Sequence, residues 1–130
     1  MGLFGLFKGS DKAPKEEKKA LPWQKLETVA QLDTIAERSK GKMQILFKHS
    51  TRCGISKMVI KQFESAYSLE DTAADLYYLD LLNYRDVSRA IGEKFEVFHQ
   101  SPQLIVIKNG IAVHHASHSE IDATALEALV

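Results

Sequence analysis

Apolar positions along the chain change their spacing in step with punctuation residues, and the changes define a series of elements. Pro22-Trp23-Gln24-Lys25-Leu26 reads as a short first strand whose apolar contacts come from Trp23 and Leu26. From Glu27 to Lys40, Val29, Leu32, Ile35 and Ala36 recur at helical spacing, and Gly41 supplies a stop. Lys42 to His49 is a strand-like run, and beyond a short loop Ile55, Val59, Phe63 and Ala66 fall on one face of a helix ending near Tyr67 or Ser68. Leu76 to Leu82 is almost continuously apolar, as a central strand covered on both faces requires. Asn83 or Asp86 can cap a helix carrying Val87, Ala90 and Ile91 and closing over Gly92-Glu93-Lys94-Phe95. Gln103 to Lys108 and Ile111 to Ala116 flank Asn109-Gly110, a strong two-residue hairpin signal. Ser119 or Asp122 can cap a last helix with Ile121, Leu126 and Leu129. The predicted order, β-α-β-α-β-α-β-β-α, makes an α/β domain with a mixed sheet and helices on both faces.

Composition narrows this picture. The chain has 130 residues, enough for one compact domain. Residues 9–20 are rich in Lys, Glu and Pro and too poor in apolar groups to pack, so residues 1–20 are expected to be a flexible tail and 21–130 the domain. The apolar tip, Met1 to Lys8, has neither the parts of a signal peptide nor the length to span a bilayer. Seventeen basic side chains balance seventeen acidic ones, which gives no basis for a nucleic-acid partner. A single cysteine excludes an internal disulfide and a paired-cysteine metal site, and suits a reducing cytoplasm. No feature demands more than a monomer.

That cysteine, Cys53, carries the chemistry. It follows a strand and precedes a helix, where free backbone N–H groups and the helix dipole favour an anion, and the thiolate is the reactive form of cysteine. Arg52 and Lys48 are candidate sources of further positive potential, and the polar flank of Ser50, Thr51 and Arg52 is unsuited to an inert core thiol. His49, at the end of the strand, is placed to tune the sulfur. His114 and His115 are neighbours in a strand and point to opposite faces, so with His118 they read as surface or structural histidines and no metal site is expected. Tyr84 and Arg85 follow the third strand, at the carboxyl edge where ligands bind in open α/β sheets.

The element order, the cysteine after the second strand and Pro102 at the opening of the late hairpin resemble the thioredoxin fold over about residues 22–130. Four segments go further: Lys48-His49-Ser50-Thr51-Arg52-Cys53 with Ile55-Ser56, Tyr78 to Ser88, His99-Gln100-Ser101-Pro102-Gln103, and Ala116-Ser117-His118. In that order they closely resemble the YtxJ-like family of monothiol bacilliredoxins. The resemblance implies that Cys53 is the nucleophile that takes bacillithiol from mixed disulfides on oxidised proteins. It implies a cis peptide before Pro102, which shapes the pocket and blocks unwanted metal binding, and a Ser101 backbone that pairs with the substrate backbone. Bacillithiol would be a co-substrate, with no tightly bound cofactor. The partners would be bacillithiolated proteins and a low-molecular-weight thiol, and Arg52 or Lys48 would meet bacillithiol carboxylates. Ser50, Thr51, His49 and Ser56 would support the loop.

One position departs from the family pattern: Gly54 stands where Cys-Pro-Ile-Ser is frequent. Glycine restores an N–H that can face the sulfur. It also makes the motif similar to the Cys-Gly-Phe-Ser of monothiol glutaredoxins, which implies an iron–sulfur cluster carrier as the alternative. A non-catalytic adaptor on the same fold is a third reading.

Overall fold

The computed structural model describes residues 20–130; the expected N-terminal tail and its apolar tip fall almost wholly outside the described residues. Five strands form one sheet: β1 (Trp23–Lys25), β2 (Met43–His49), β3 (Ala74–Asp80), β4 (Gln103–Lys108) and β5 (Ile111–Ser117). They lie in the order β1-β3-β2-β4-β5. β1 and β2 run parallel to β3, whereas β4 is antiparallel to β2 and β5 to β4. Three helices connect them: α1 (Ala30–Arg38), α2 (Gly54–Ala66) and α3 (Arg85–Phe95). The predicted order holds from the first strand through the hairpin.

β2 occupies the middle of the sheet, and all seven of its residues are buried. β3, whose sequence is the more continuously apolar, lies one place nearer the edge and alternates buried with half-buried positions. Strand alternation divides β2 between two cores. Met43, Ile45 and Phe47 join Val59, Ile60 and Phe63 of α2, together with Leu104, Val106, Ala123 and Leu126. Leu46 faces the other way, with Leu32 and Ile35 of α1 and Val87, Ile91 and Phe95 of α3. The first core is tied together by rings: Phe47 meets Phe63 at 5.3 Å and Trp23 at 6.0 Å, both edge-on.

Local signals explain most of the boundaries. α1 starts later than Glu27 because Thr28 and Gln31 form a capping box: the Gln31 N–H donates to Thr28 Oγ1 at 3.3 Å, and the Thr28 N–H donates to Gln31 Oε1 at 2.9 Å. The expected cap of α3 is absent. Asn83 donates instead to Asp80 at 2.7 Å, and Tyr84 precedes the helix without a side-chain cap. At the hairpin, Asn109 and Gly110 take φ of 54° and 81°, the left-handed pair that a two-residue turn requires.

The last segment differs from expectation. In place of an α-helix there is a 3-10 turn (His118–Glu120) and then a 3-10 helix (Ala123–Leu129) capped by Asp122, which accepts from the Thr124 N–H at 3.0 Å. Ala123 and Leu126 are buried and Leu129 packs beside them, so apolar contacts recur every third residue, the period of a 3-10 helix.

Gly92 lies inside α3 rather than at its end. A Cβ there would stand 3.0 Å from the Val97 carbonyl oxygen, a backbone atom, because the chain turns back at Glu96 in the left-handed conformation. Gly92→Ala is therefore expected to destabilise by about 1–2 kcal/mol despite alanine's better helix propensity, as read by urea unfolding. A neutral or stabilising result would contradict the close approach.

Candidate active site

The Cys53 loop leaves the carboxyl end of β2 and enters α2 directly. Cys53 is the N-cap residue, in extended conformation with φ −104° and ψ 122°, and its side chain is half-buried. Its N–H donates to the Ser50 carbonyl at 3.3 Å, and its carbonyl accepts the first helical bond, from Lys57, at 3.1 Å. The N–H groups of Gly54, Ile55 and Ser56 precede that bond, so they are the free donors of the helix end beside the sulfur. No Cβ at Gly54 would meet any atom within 4 Å, so glycine here answers to no steric demand.

Beneath the loop lies a polar clamp. Ser56, fully buried, accepts from the Ser50 N–H at 3.1 Å, and its Oγ is 2.9 Å from Nδ1 of His49, also buried. Burial holds the His49 pKa below its ordinary value, outweighing the upward pull of Asp80 and Glu64. The imidazole is thus kept neutral. Ser56→Ala removes one hydroxyl and strands two groups, the Ser50 N–H and His49 Nδ1. Thermal unfolding is expected to show a loss of about 1–3 kcal/mol, with no loss contradicting the clamp.

The register of β2 with β4 pairs Lys48 with Gln103, which carries Pro102 and Ser101 to the level of His49 and Ser50 at the same edge of the sheet. The peptide between Ser101 and Pro102 is cis. The Pro102 carbonyl accepts from the His118 N–H at 3.1 Å. Gln103, for which the sequence suggested no role, is buried and anchors this loop: Nε2 donates to the Phe98 carbonyl at 3.0 Å, and Oε1 accepts from the Gln100 N–H at 3.3 Å.

The remaining candidates separate. Thr51 and Arg52 are exposed on the loop, Arg52 next to the sulfur-bearing residue. Lys48 does not join them. Strand alternation sends it to the α3 side of the sheet, where it is fully buried with Nζ 3.1 Å from His99 Nδ1. Burial lowers its pKa to about 8. His114 lies on the half-exposed strand β5, and among the described residues no cluster of His, Cys, Asp and Glu has the arrangement of a metal site. Among the same residues no helix is long and apolar enough to cross a membrane.

Burying Lys48 without a carboxylate is costly, and the cost depends on pH. Below pH 8 both folded and unfolded chains hold the proton, so the full penalty applies; between about 8 and 10.5 the folded state sheds it first and stability recovers. Lys48→Met is expected to stabilise the protein at pH 7 by about 1–3 kcal/mol. That advantage should shrink as pH rises through the same window. A variant less stable than the parent at pH 7 would contradict this.

A five-stranded mixed sheet, a cysteine at the start of the helix after β2, and a cis-proline loop at the same edge define a thioredoxin-fold oxidoreductase. Solved structures agree. A thioredoxin-fold protein, 32% identical, superposes with a TM-score of 0.68 over 80% of this chain and 89% of its own. Thioredoxins of Malassezia sympodialis (19% identical, TM-score 0.62, covering 85% of this chain and 92% of that one) and Schistosoma mansoni (20%, 0.61, covering 83% and 92%) share the fold. Residues 24–126 match the family of the monothiol bacilliredoxin BrxC, and the chain belongs to that family. It is a monothiol thiol–disulfide oxidoreductase of bacillithiol-related redox chemistry, with one cysteine to perform it.

Proposed function

We propose that Cys53 performs the exchange and that its substrates are proteins carrying bacillithiol in mixed disulfide linkage. The observation that carries this reading is the position of Cys53 at the N-cap of α2, next to the N–H groups of the first helical turn. In the first step the Cys53 thiolate attacks the bacillithiol sulfur. A Cys53–bacillithiol disulfide forms, the protein–bacillithiol disulfide breaks, and the protein's sulfur departs as a thiolate that takes a proton from water. In the second, the thiolate of another low-molecular-weight thiol attacks the bacillithiol sulfur on Cys53. A small-molecule disulfide leaves and the Cys53 thiolate returns.

The surroundings suit both steps. Ser101, beside Pro102 at the level of the Cys53 loop, presents its backbone to an extended substrate segment. Ile55 and Met58 are 61% and 54% exposed and stand three apart on α2, an apolar surface next to the sulfur for the oxidised protein. Arg52, exposed on the loop, is the cation available to a bacillithiol carboxylate. Lys48, expected to meet a bacillithiol carboxylate, is buried against His99 on the other side of the sheet and is not a contact for it. The test is release of free thiol from a bacillithiolated model protein. Turnover is expected with bacillithiol and to be much slower with a glutathione adduct of the same protein. Equal rates would overturn the assignment of bacillithiol.

A further inference from the structure

On the face of the sheet opposite α2, Leu81, Arg85, Ser88, Arg89 and His99 line a cleft of about 300 Å³. Its charge is one-sided. Arg85 and Arg89 stand four apart on α3, a like-charge spacing that costs stability unless an anion lies between them. Behind His99 sits Lys48, wholly out of solvent, its Nζ bonded to the ring Nδ1 at 3.1 Å, with Ser88 Oγ 3.4 Å from the same nitrogen. None of the three cations takes part in the ion pairs among the described residues, which join Lys40 to Glu37, Lys42 to Asp75 and Lys94 to Asp33. No carboxylate lines the cleft. Two guanidinium forks and a hydroxyl in a cleft without a carboxylate are the donor set of an oxyanion site, and the Lys48 ammonium adds positive potential from behind His99.

We propose that this cleft binds a small dianion, a dicarboxylate or a phosphate, held by Arg85 and Arg89 with Ser88 and His99 as its floor and the Lys48 charge behind them. Its small volume and the depth of Lys48 favour a free small molecule over an acidic protein segment. The site uses no atom of Cys53, so binding is expected in Cys53→Ser as in the parent. Failure of the site and failure of the exchange reaction are therefore separable.

The experiment is a titration of the reduced full chain with L-malate or inorganic phosphate at constant ionic strength, following the His99 ring resonances by NMR. Saturable shifts are expected at up to about 10 mM ligand, weakened about tenfold or more in Arg85→Gln and Arg89→Gln. Lys48→Met should weaken binding while keeping a folded spectrum, and Lys40→Gln, in the turn after α1 at the other end of β2, should leave it unchanged. Saturation by malate alone assigns a planar dicarboxylate, and by phosphate alone a tetrahedral anion; both support the site. Shifts that do not saturate with either anion, or that survive both arginine replacements, would overturn it.

Discussion

Cys53→Ser is expected to reduce release of bacillithiol from protein mixed disulfides by at least about a thousandfold, to the background of the uncatalysed reaction. The hydroxyl keeps the shape of the side chain and its place at the N-cap of α2. It cannot supply the anionic sulfur that attacks, nor hold bacillithiol in a disulfide. The chain has no second cysteine to take over. Because the thiol is only half-buried, unfolding of the variant should stay within about 1 kcal/mol of the parent, so lost activity would report chemistry and not fold. Residual turnover in this variant would mean that another group performs the exchange.

The largest effect on stability is expected from Phe47→Ala, a loss of about 3–5 kcal/mol in chemical denaturation. Phe47 is fully buried in the central strand and is the ring against which Trp23 and Phe63 both pack. Its removal opens a cavity between the sheet and α2, and the neighbouring rings, fixed on β1 and α2, can collapse only partly into it. Small domains are stable by about 5–15 kcal/mol in total, so much of the margin would be gone. The damage should reach the site as well, since Phe47 is two residues from His49 and the clamp beneath the cysteine loop. A loss below about 1 kcal/mol would contradict the packing described.

Much of this architecture is legible in the residues themselves. The three inner strands are visible as apolar runs, Asn109-Gly110 announces the hairpin, and the position of Cys53 follows from the change of spacing between Phe47 and Val59. The last segment reads as an α-helix because a few apolar residues in so short a stretch do not separate a period of 3.0 from 3.6; buried Ala123 and Leu126, with Leu129 half-buried beside them, do. The cap of α3 was misread because Asn83 has a competing partner in Asp80, a neighbour it meets in the turn.

The site was legible in part. Ser50, His49 and Ser56 meet beneath the Cys53 loop, but Lys48 goes elsewhere. The alternation of β2 already placed Lys48 and His49 on opposite faces; which face receives α2 is a property of the whole sheet that no local pattern states. Gln103 escaped notice for a similar reason. A polar residue at the start of a strand looks like an edge position until the loop it holds is seen.

The most direct test is intact mass spectrometry of the reduced protein after mixing with a model protein that bears a bacillithiol mixed disulfide. The account predicts one bacillithiol added to the chain, located at Cys53, with the model protein returned to its free-thiol mass. An unchanged chain beside an unchanged mixed disulfide, under conditions where the protein is folded and reduced, would contradict it.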